Sequence, residues 1–259
     1  MPDSPHIARM PAIIAHRGAS HDAPENTLAA FHLGWAQGAD AVELDIWQTG
    51  DGHILVTHDA DTRRLTGVKL KVAKTPLKIL RSLDAGAWKG REWAGEKFPL
   101  LEEVLEIIPA GRRLVIEVKC GVAALPELER VIERSGKTSQ VEIISFRRAV
   151  CVGAKKRMPD VPVLLLSTLG PRTWPLRARL LVARARRANL DGLNLQAGRS
   201  LGARLIGAAH RAGLKCYTWT VDKPELARRL AAAGIDAITT NRPAWLREQL
   251  AMARGILRG

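Results

Sequence analysis

Short apolar or β-branched runs alternate along this chain with longer segments whose apolar residues recur at helical spacing. The runs Ala12–Ala15, Ala41–Ile46, Leu114–Val118, Val141–Ile144, Pro162–Leu166, Gly192–Leu195, Lys215–Thr220 and Ala237–Thr239 predict strands. The segments Thr27–Gln37, Glu102–Ile108, Pro126–Ser135, Arg147–Arg157, Leu176–Arg187, Gly202–Ala212, Pro224–Ala233 and Pro243–Arg254 predict helices. Eight strands alternating with eight helices is the count for an α/β fold of the (β/α)8 TIM-barrel type. A doubly wound open sheet shares the alternation, but the Gly-rich dinucleotide turn is absent after the first strand. No repeat, low-complexity tract or linker interrupts the pattern, so residues 1–259 are expected to form a single domain.

The longest break in the alternation runs from Ile54 to Leu100. It opens with a hairpin partner strand, Ile54–Thr57, after the Asp51-Gly52 turn, and carries Trp88, Lys89 and Trp93. On a barrel, an insertion after the second strand would sit over the C-terminal mouth, where active sites lie. A passive surface excursion is the other reading.

Composition adds limits. The hydrophobic fraction of 46% is that of an ordinary globular protein. No run approaches the roughly 18 apolar residues of a membrane span, and no export signal is read at the N-terminus. Cys120, Cys151 and Cys216 are few and widely spaced, which argues against a disulfide framework and leads to the expectation of a cytoplasmic protein. The formal net charge is +14, part of it in the Arg172–Arg187 stretch. A solvated, arginine-rich surface helix explains that stretch, and weak contact with an anionic membrane is the alternative. Aromatics are only 4% of the chain and are not interleaved with basic residues, so no nucleic-acid partner is expected.

The candidate chemistry is concentrated in the first half of the chain. His16 ends the first strand and His58 follows the hairpin strand; each stands in a turn beside a polar group, Arg17 and Asp59 respectively. Residues at i and i+2 of a strand share a face, so Glu43 points with Asp45, and Glu117 with Lys119. For one pair alone, an exposed face or a satisfied ion pair is the ordinary reading. Two such pairs at consecutive strand ends favour a site, because converging buried carboxylates repel unless a cation joins them. Oxygen-only ligation selects a hard divalent ion, Mg²⁺ or Ca²⁺. Two imidazoles can accept and donate protons near neutrality, and the planar fork of Arg17 suits two phosphate oxygens. Asp59 either orients a ring or caps a turn. This inventory suits hydrolysis of a phosphate ester.

The ordered set His16-Arg17-Gly18, Pro24-Glu25-Asn26-Thr27, Val42-Glu43-Leu44-Asp45, His58-Asp59, Arg64, Ile116-Glu117-Val118-Lys119, Ser145-Phe146, Trp219-Thr220-Val221 and Gly234-Ile235-Asp236 resembles the glycerophosphodiester phosphodiesterase family from His16 to about Pro243. The resemblance implies a TIM barrel with a metal held by Glu43, Asp45 and Glu117. It implies His16 and His58 as the acid–base pair, Arg17 and Lys119 on the phosphate, and Trp219 at the mouth, with Glu25, Asn26 and Asp59 in support. The implied reaction turns a small glycerophosphodiester into glycerol 3-phosphate and an alcohol. The family's usual Thr-Asp after the last strand is Thr240-Asn241 here. That change either removes a charge near the mouth or alters a turn or cap that Asn also fills.

Two other functions fit the same fold. A lysophospholipase D-like activity would use Arg172–Arg187 and the Trp88/Trp93 insertion to reach a membrane surface. A non-catalytic binding protein would lack one or more acid–base or metal groups, and all of them are present. The sequence does not determine the oligomeric state, the leaving alcohol, or which histidine is acid and which is base.

Overall fold

The structure, a computed structural model, describes residues 10–168 and 174–252. Its strands are β1 (Ala12–His16), β2 (Ala41–Gln48), β3 (Ile54–Val56), β4 (Arg113–Val118), β5 (Val141–Ser145), β6 (Val163–Ser167), β7 (Gly192–Gln196), β8 (Lys215–Trp219) and β9 (Ala237–Thr240). Among the described residues the α-helices are α1 (Leu28–Ala36), α2 (Arg63–Thr66), α3 (Leu77–Ser82), α4 (Leu101–Glu106), α5 (Leu125–Ser135), α6 (Arg148–Arg157), α7 (Trp174–Arg187), α8 (Ala203–Arg211), α9 (Pro224–Ala232) and α10 (Pro243–Met252). The strands pair in the order β1-β9-β8-β7-β6-β5-β4-β2, and β1 pairs with β2 to close the ring; every pairing in it is parallel. This is the (β/α)8 barrel predicted from the alternation. β3 lies outside the ring, antiparallel to β2 through Ile46–Val56 and Gln48–Ile54, as the hairpin reading expected.

Parallel strands covered by helices are buried on both faces, and the core divides accordingly. One cluster lies between the ring and the helices and includes Phe31, Leu44, Leu114, Ile143, Leu193 and Ile238. A second fills the barrel axis with Ile14, Ala41, Val115, Ile144, Leu164, Leu166, Tyr217 and Ala237. Alternation along each strand then reads as a vertical section through the barrel. In β4, Arg113 lines the cavity below, Val115 belongs to the plug, and Glu117 lines the cavity above; in β8 the same order is Lys215, Tyr217, Trp219.

The observed strand bounds differ from the predicted ones by one or two residues. β2 runs two residues past Ile46, so Glu43 and Asp45 lie mid-strand rather than at its end. The insertion also holds more order than a hairpin: α2 and α3 pack Leu55, Leu65, Val72, Leu80, Ala85 and Phe98 into a cluster of their own. It is no passive excursion, since Lys89 Nζ donates to the Ser20 carbonyl on the β1–α1 loop at 2.9 Å. The arginine-rich stretch lies partly outside the described residues, and its membrane contact is not addressed by what is described. No helix of the described residues is long and apolar enough to cross a membrane.

Candidate active site

The β1–α1 turn builds one side of the site. Arg17 and Asn26 both take left-handed backbone conformations, with φ of 55° and 59°. Such positions are costly for residues with a Cβ and cluster where geometry matters. Gly18 (φ 81°) has no alternative, because a Cβ there would lie 2.5 Å from the Ala30 backbone. Thr27 then caps α1, its hydroxyl accepting from the Ala30 N–H at 3.2 Å. The result turns Arg17 back over β2. Its N–H donates to Glu43 Oε2 at 3.0 Å, and its guanidinium donates to Glu25 Oε1 at 3.0 Å. Its Nε lies 3.1 Å from Asp45 Oδ2, within ion-pair range though not aligned as a hydrogen bond.

Glu43, Asp45 and Glu117 each bring a carboxylate oxygen within 4.8 Å of the others, and all three are buried. Asn26 Nδ2 donates to Asp45 Oδ2 at 2.9 Å. Lys119 Nζ lies 2.7 Å from Glu117 and 3.1 Å from Asp45, so the expected Glu117–Lys119 ion pair forms, within reach of the carboxylate cluster. Two cations serve three carboxylates, and the imbalance is visible in their protonation. Burial, then Asp45 and Glu117, raise Glu43 well above the usual carboxylate range. Burial and then Asp45 push Glu117 up to about 7. Asp45 is held down at about 2, because Arg17 and Lys119 outweigh its burial. Asp45 Oδ1 is buried, and its partner is the Lys119 ammonium 3.1 Å away. A buried, all-oxygen cluster with excess like charge fits a hard divalent cation.

The histidines arrive from opposite sides. His16 Nδ1 stands 2.7 Å from Asn241 Oδ1, beyond the end of β9. Burial first, and then the neighbouring Arg17 guanidinium, hold its imidazole down at about 4. His58 comes from the insertion, secured where Trp47 Nε1 donates to its carbonyl at 3.1 Å and Thr57 N–H to the Asp45 carbonyl at 2.9 Å. Its Nδ1 is 2.7 Å from Asp59 Oδ1, while Asp59 Oδ2 accepts from Arg64 Nε at 2.6 Å. Asp59 therefore sits between the His58 ring and the Arg64 guanidinium. Arg64 also grips Glu25 at 2.7 Å, tying α2 to the β1–α1 loop.

These groups enclose a cavity of about 200 Å³ at the C-terminal mouth. His16, Arg17, Glu43, His58, Glu117 and Lys119 line one wall. The other is largely apolar: Ile144, Leu166, and Trp219 packed edge-to-face on Phe146, ring centroids 5.5 Å apart. Trp219 lines the mouth cavity and also packs against the axial core cluster. A larger cavity, of about 580 Å³, opens at the opposite end, far from this chemistry. Asn241, the partner of His16, and Asp222 and Ser20, which bond to Asn241, escaped the sequence reading. Asn241 caps no helix; its one signal was the departure from the family's Asp.

The glycerophosphoryl diester phosphodiesterase family profile matches residues 16–245. A glycerophosphodiester phosphodiesterase of Caldanaerobacter subterraneus is 35% identical over 238 residues, covering 89% of this chain and 94% of the relative. Among solved structures, a phosphodiesterase of Oleispira antarctica in complex with its product sn-glycerol-3-phosphate is 30% identical with a TM-score of 0.84, covering 93% of this chain and 97% of that one. A glycerophosphoryl diester phosphodiesterase structure from Silicibacter pomeroyi, 26% identical, also gives 0.84 over 96% of this chain and 95% of its own. With the fold, the convergent mouth and these matches together, the chain belongs to the glycerophosphoryl diester phosphodiesterase family.

Proposed function

We propose that this protein hydrolyses small glycerophosphodiesters to glycerol 3-phosphate and an alcohol at the β-barrel mouth. The observation that carries this reading is convergence. Two imidazoles, two cations and the carboxylates of Glu43 and Glu117, with Asp45 buried beside them, converge from β1, β2, β4 and the insertion on one 200 Å³ cavity. Arg17 and Lys119 hold the phosphate oxygens, and His16 and His58 move the two protons that ester cleavage requires. Glu25, Asn26 and Asp59 hold Arg17, Asp45 and His58 in place.

Glu43, Asp45 and Glu117 would hold Mg²⁺ or Ca²⁺, which supplies positive charge against the phosphoryl oxygens as the transition state forms. The Phe146–Trp219 wall excludes water from the opposite side of the diester, and Trp219 contacts the glycerol or alcohol portion. Three free cysteines, two of them buried, support a reducing, cytoplasmic setting.

The test is release of glycerol 3-phosphate from glycerophosphocholine and glycerophosphoethanolamine, with Mg²⁺, Ca²⁺ or chelator. The expected result is cation-dependent release that is lost in both His16→Ala and His58→Ala. Release from neither diester, with cation bound, would overturn the substrate class; release that survives both substitutions would overturn the acid–base assignment.

A further inference from the structure

Seven lysines and arginines, and no aspartate or glutamate, lie between Asp61 and Asp84 on the insertion that carries His58. Two of these cations are neutralised: Arg64 pairs with Glu25 and Asp59, and Arg81 pairs with Glu103. Arg63, Lys69, Lys71, Lys74 and Lys78 are exposed and form no ion pair among the described residues. Two aspartates beside this stretch are bound to backbone instead. Asp61 accepts from the Arg63 N–H at 3.1 Å, and Asp51 accepts from the Leu77 N–H at 3.0 Å. Two carboxylates against five unpaired cations leave the outer side of the insertion strongly positive.

The local fold fixes which side chains face outward. Leu65, Val72 and Leu80 turn into the insertion's own apolar cluster, which leaves their basic neighbours outside it. Gly67, with φ of 75°, makes the turn after α2, and the Thr62 and Thr66 hydroxyls both donate to the Val68 carbonyl, at 2.6 and 3.2 Å. That loop holds Val68 48% exposed, and Ile79 on α3 is 48% exposed as well. A lone exposed aliphatic side chain needs no explanation. Two of them set among unpaired lysines match a phospholipid surface: point charges for the headgroup phosphates, and short apolar tips for the acyl boundary beneath. A nucleic acid would call for an aromatic platform against its bases, and residues 62–83 hold no aromatic side chain.

We propose that this side of the insertion docks the protein on an anionic phospholipid surface, with Lys69, Lys71, Lys74 and Lys78 at the headgroup phosphates and Val68 and Ile79 beneath them. The docking stands independently of the reaction proposed above. α2 is tied to the mouth through Arg64, Asp59 and His58, so the docked protein carries its mouth beside the headgroup layer.

The test is co-sedimentation of the full chain with phosphatidylcholine vesicles that contain or lack phosphatidylglycerol. The expected result is binding to the anionic vesicles alone, weakened by added salt. Each lysine at such a surface contributes about fivefold, so K69Q/K71Q/K74Q/K78Q is expected to lower the partition coefficient by about 100-fold or more. Val68→Ser combined with Ile79→Ser is expected to lower it about tenfold and to leave the salt dependence unchanged. A control, K156Q/R204Q/R211Q/K223Q, removes as much charge from exposed positions elsewhere and is expected to bind like the wild type. All of these side chains are exposed, so every variant is expected to keep the wild-type melting temperature. Absence of wild-type binding to the anionic vesicles overturns the proposal. So does a lysine variant that binds like the wild type, a control that loses as much as the lysine variant, or salt-sensitive capture of RNA or DNA in place of vesicles.

Discussion

The two ends of the barrel carry similar numbers of charged side chains and use them in opposite ways. At the bottom, charges are matched to partners. Asp40, just before β2, accepts from the β1 N–H of Ile13 at 2.8 Å and pairs with Arg247 at 2.7 Å. Asp191, before β7, accepts from the β6 N–H of Val163 at 2.7 Å and pairs with Lys155 at 2.9 Å. Asp236, before β9, accepts from the β8 N–H of Cys216 at 2.7 Å and pairs with His210 at 2.8 Å. Each aspartate ties one strand start to the next. At the mouth, Glu43, Asp45 and Glu117 crowd around two cations and repel one another. Charges that satisfy backbone groups stabilise the ring; charges left in excess make it receptive to a cation and a phosphate. The bottom is not perfect, since Glu142 Oε2 is buried without a partner.

The comparison breaks most visibly at the mouth. Glu43→Gln is expected to lower kcat/KM by about 10³-fold or more, since an electrostatic ligand is lost. The same substitution is expected to raise the melting temperature of the chelator-treated protein, because it removes a like charge from a crowded cluster. A lower melting temperature there would mean that the cluster is structural and the two ends are alike.

Acidity sharpens the same point. Metal-free Glu117 titrates at about 7, pushed up by burial and then by Asp45, against about 4.3 in an unfolded chain. Between those values the folded protein binds more protons than the unfolded one, so Glu117 costs stability as pH rises through the window. His16, held down at about 4, acts the other way below about 6.5, so the net slope is shared. The difference between chains reports Glu117 together with its repulsion of Glu43 and Asp45. In chelator, Glu117→Gln is expected to gain melting temperature on the wild-type chain between pH 5 and 7.5, and adding Mg²⁺ is expected to close the gap. A gap that does not change with pH would remove the argument for an unbalanced mouth.

At the other end the signs reverse. Asp236→Ala strands the Cys216 N–H and is expected to cost about 1–3 kcal/mol, read as a fall in the denaturant midpoint. Its kcat is expected to stay within twofold, because the plug of Ile14, Val115, Ile144 and Tyr217 separates it from the cavity.

What the sequence made legible follows this division. The ring could be read because every strand is a buried run, and the carboxylate pairs because i and i+2 share a face. The partner of His16 could not: Asn241 is 225 positions away, and nothing local in Thr240-Asn241 says which way the amide turns. α2 and α3, of 4 and 6 residues, are too short to show a period. The strand-tying aspartates were readable in principle. Gly38-Ala39-Asp40-Ala41, Asn189-Leu190-Asp191-Gly192 and Gly234-Ile235-Asp236-Ala237 share one form, each opening on a positive-φ residue (82°, 51° and 83°). Four residues at irregular intervals fall below what a search for repeats detects, although each marks where a helix ends and a strand is tied.

The smallest expected effect tests the plug itself. Tyr217 and Trp219 are two residues apart on β8 and face the same way, one toward the bottom and one into the mouth cavity. The Tyr217 hydroxyl donates to Glu142 Oε1 at 3.2 Å and lies 3.4 Å from Arg113, which also pairs with Glu142. Tyr217→Phe keeps the ring that fills the axis and removes only this bond, so it is expected to cost about 1 kcal/mol. Activity should not move, because no polar group of that network reaches the cavity. Trp219→Phe, two residues further along, is expected to shift KM without a comparable loss of stability. If Tyr217→Phe instead lowered kcat several-fold, the apolar layer would be transmitting the bottom network into the site. The two ends would then be one electrostatic unit with a shared plug.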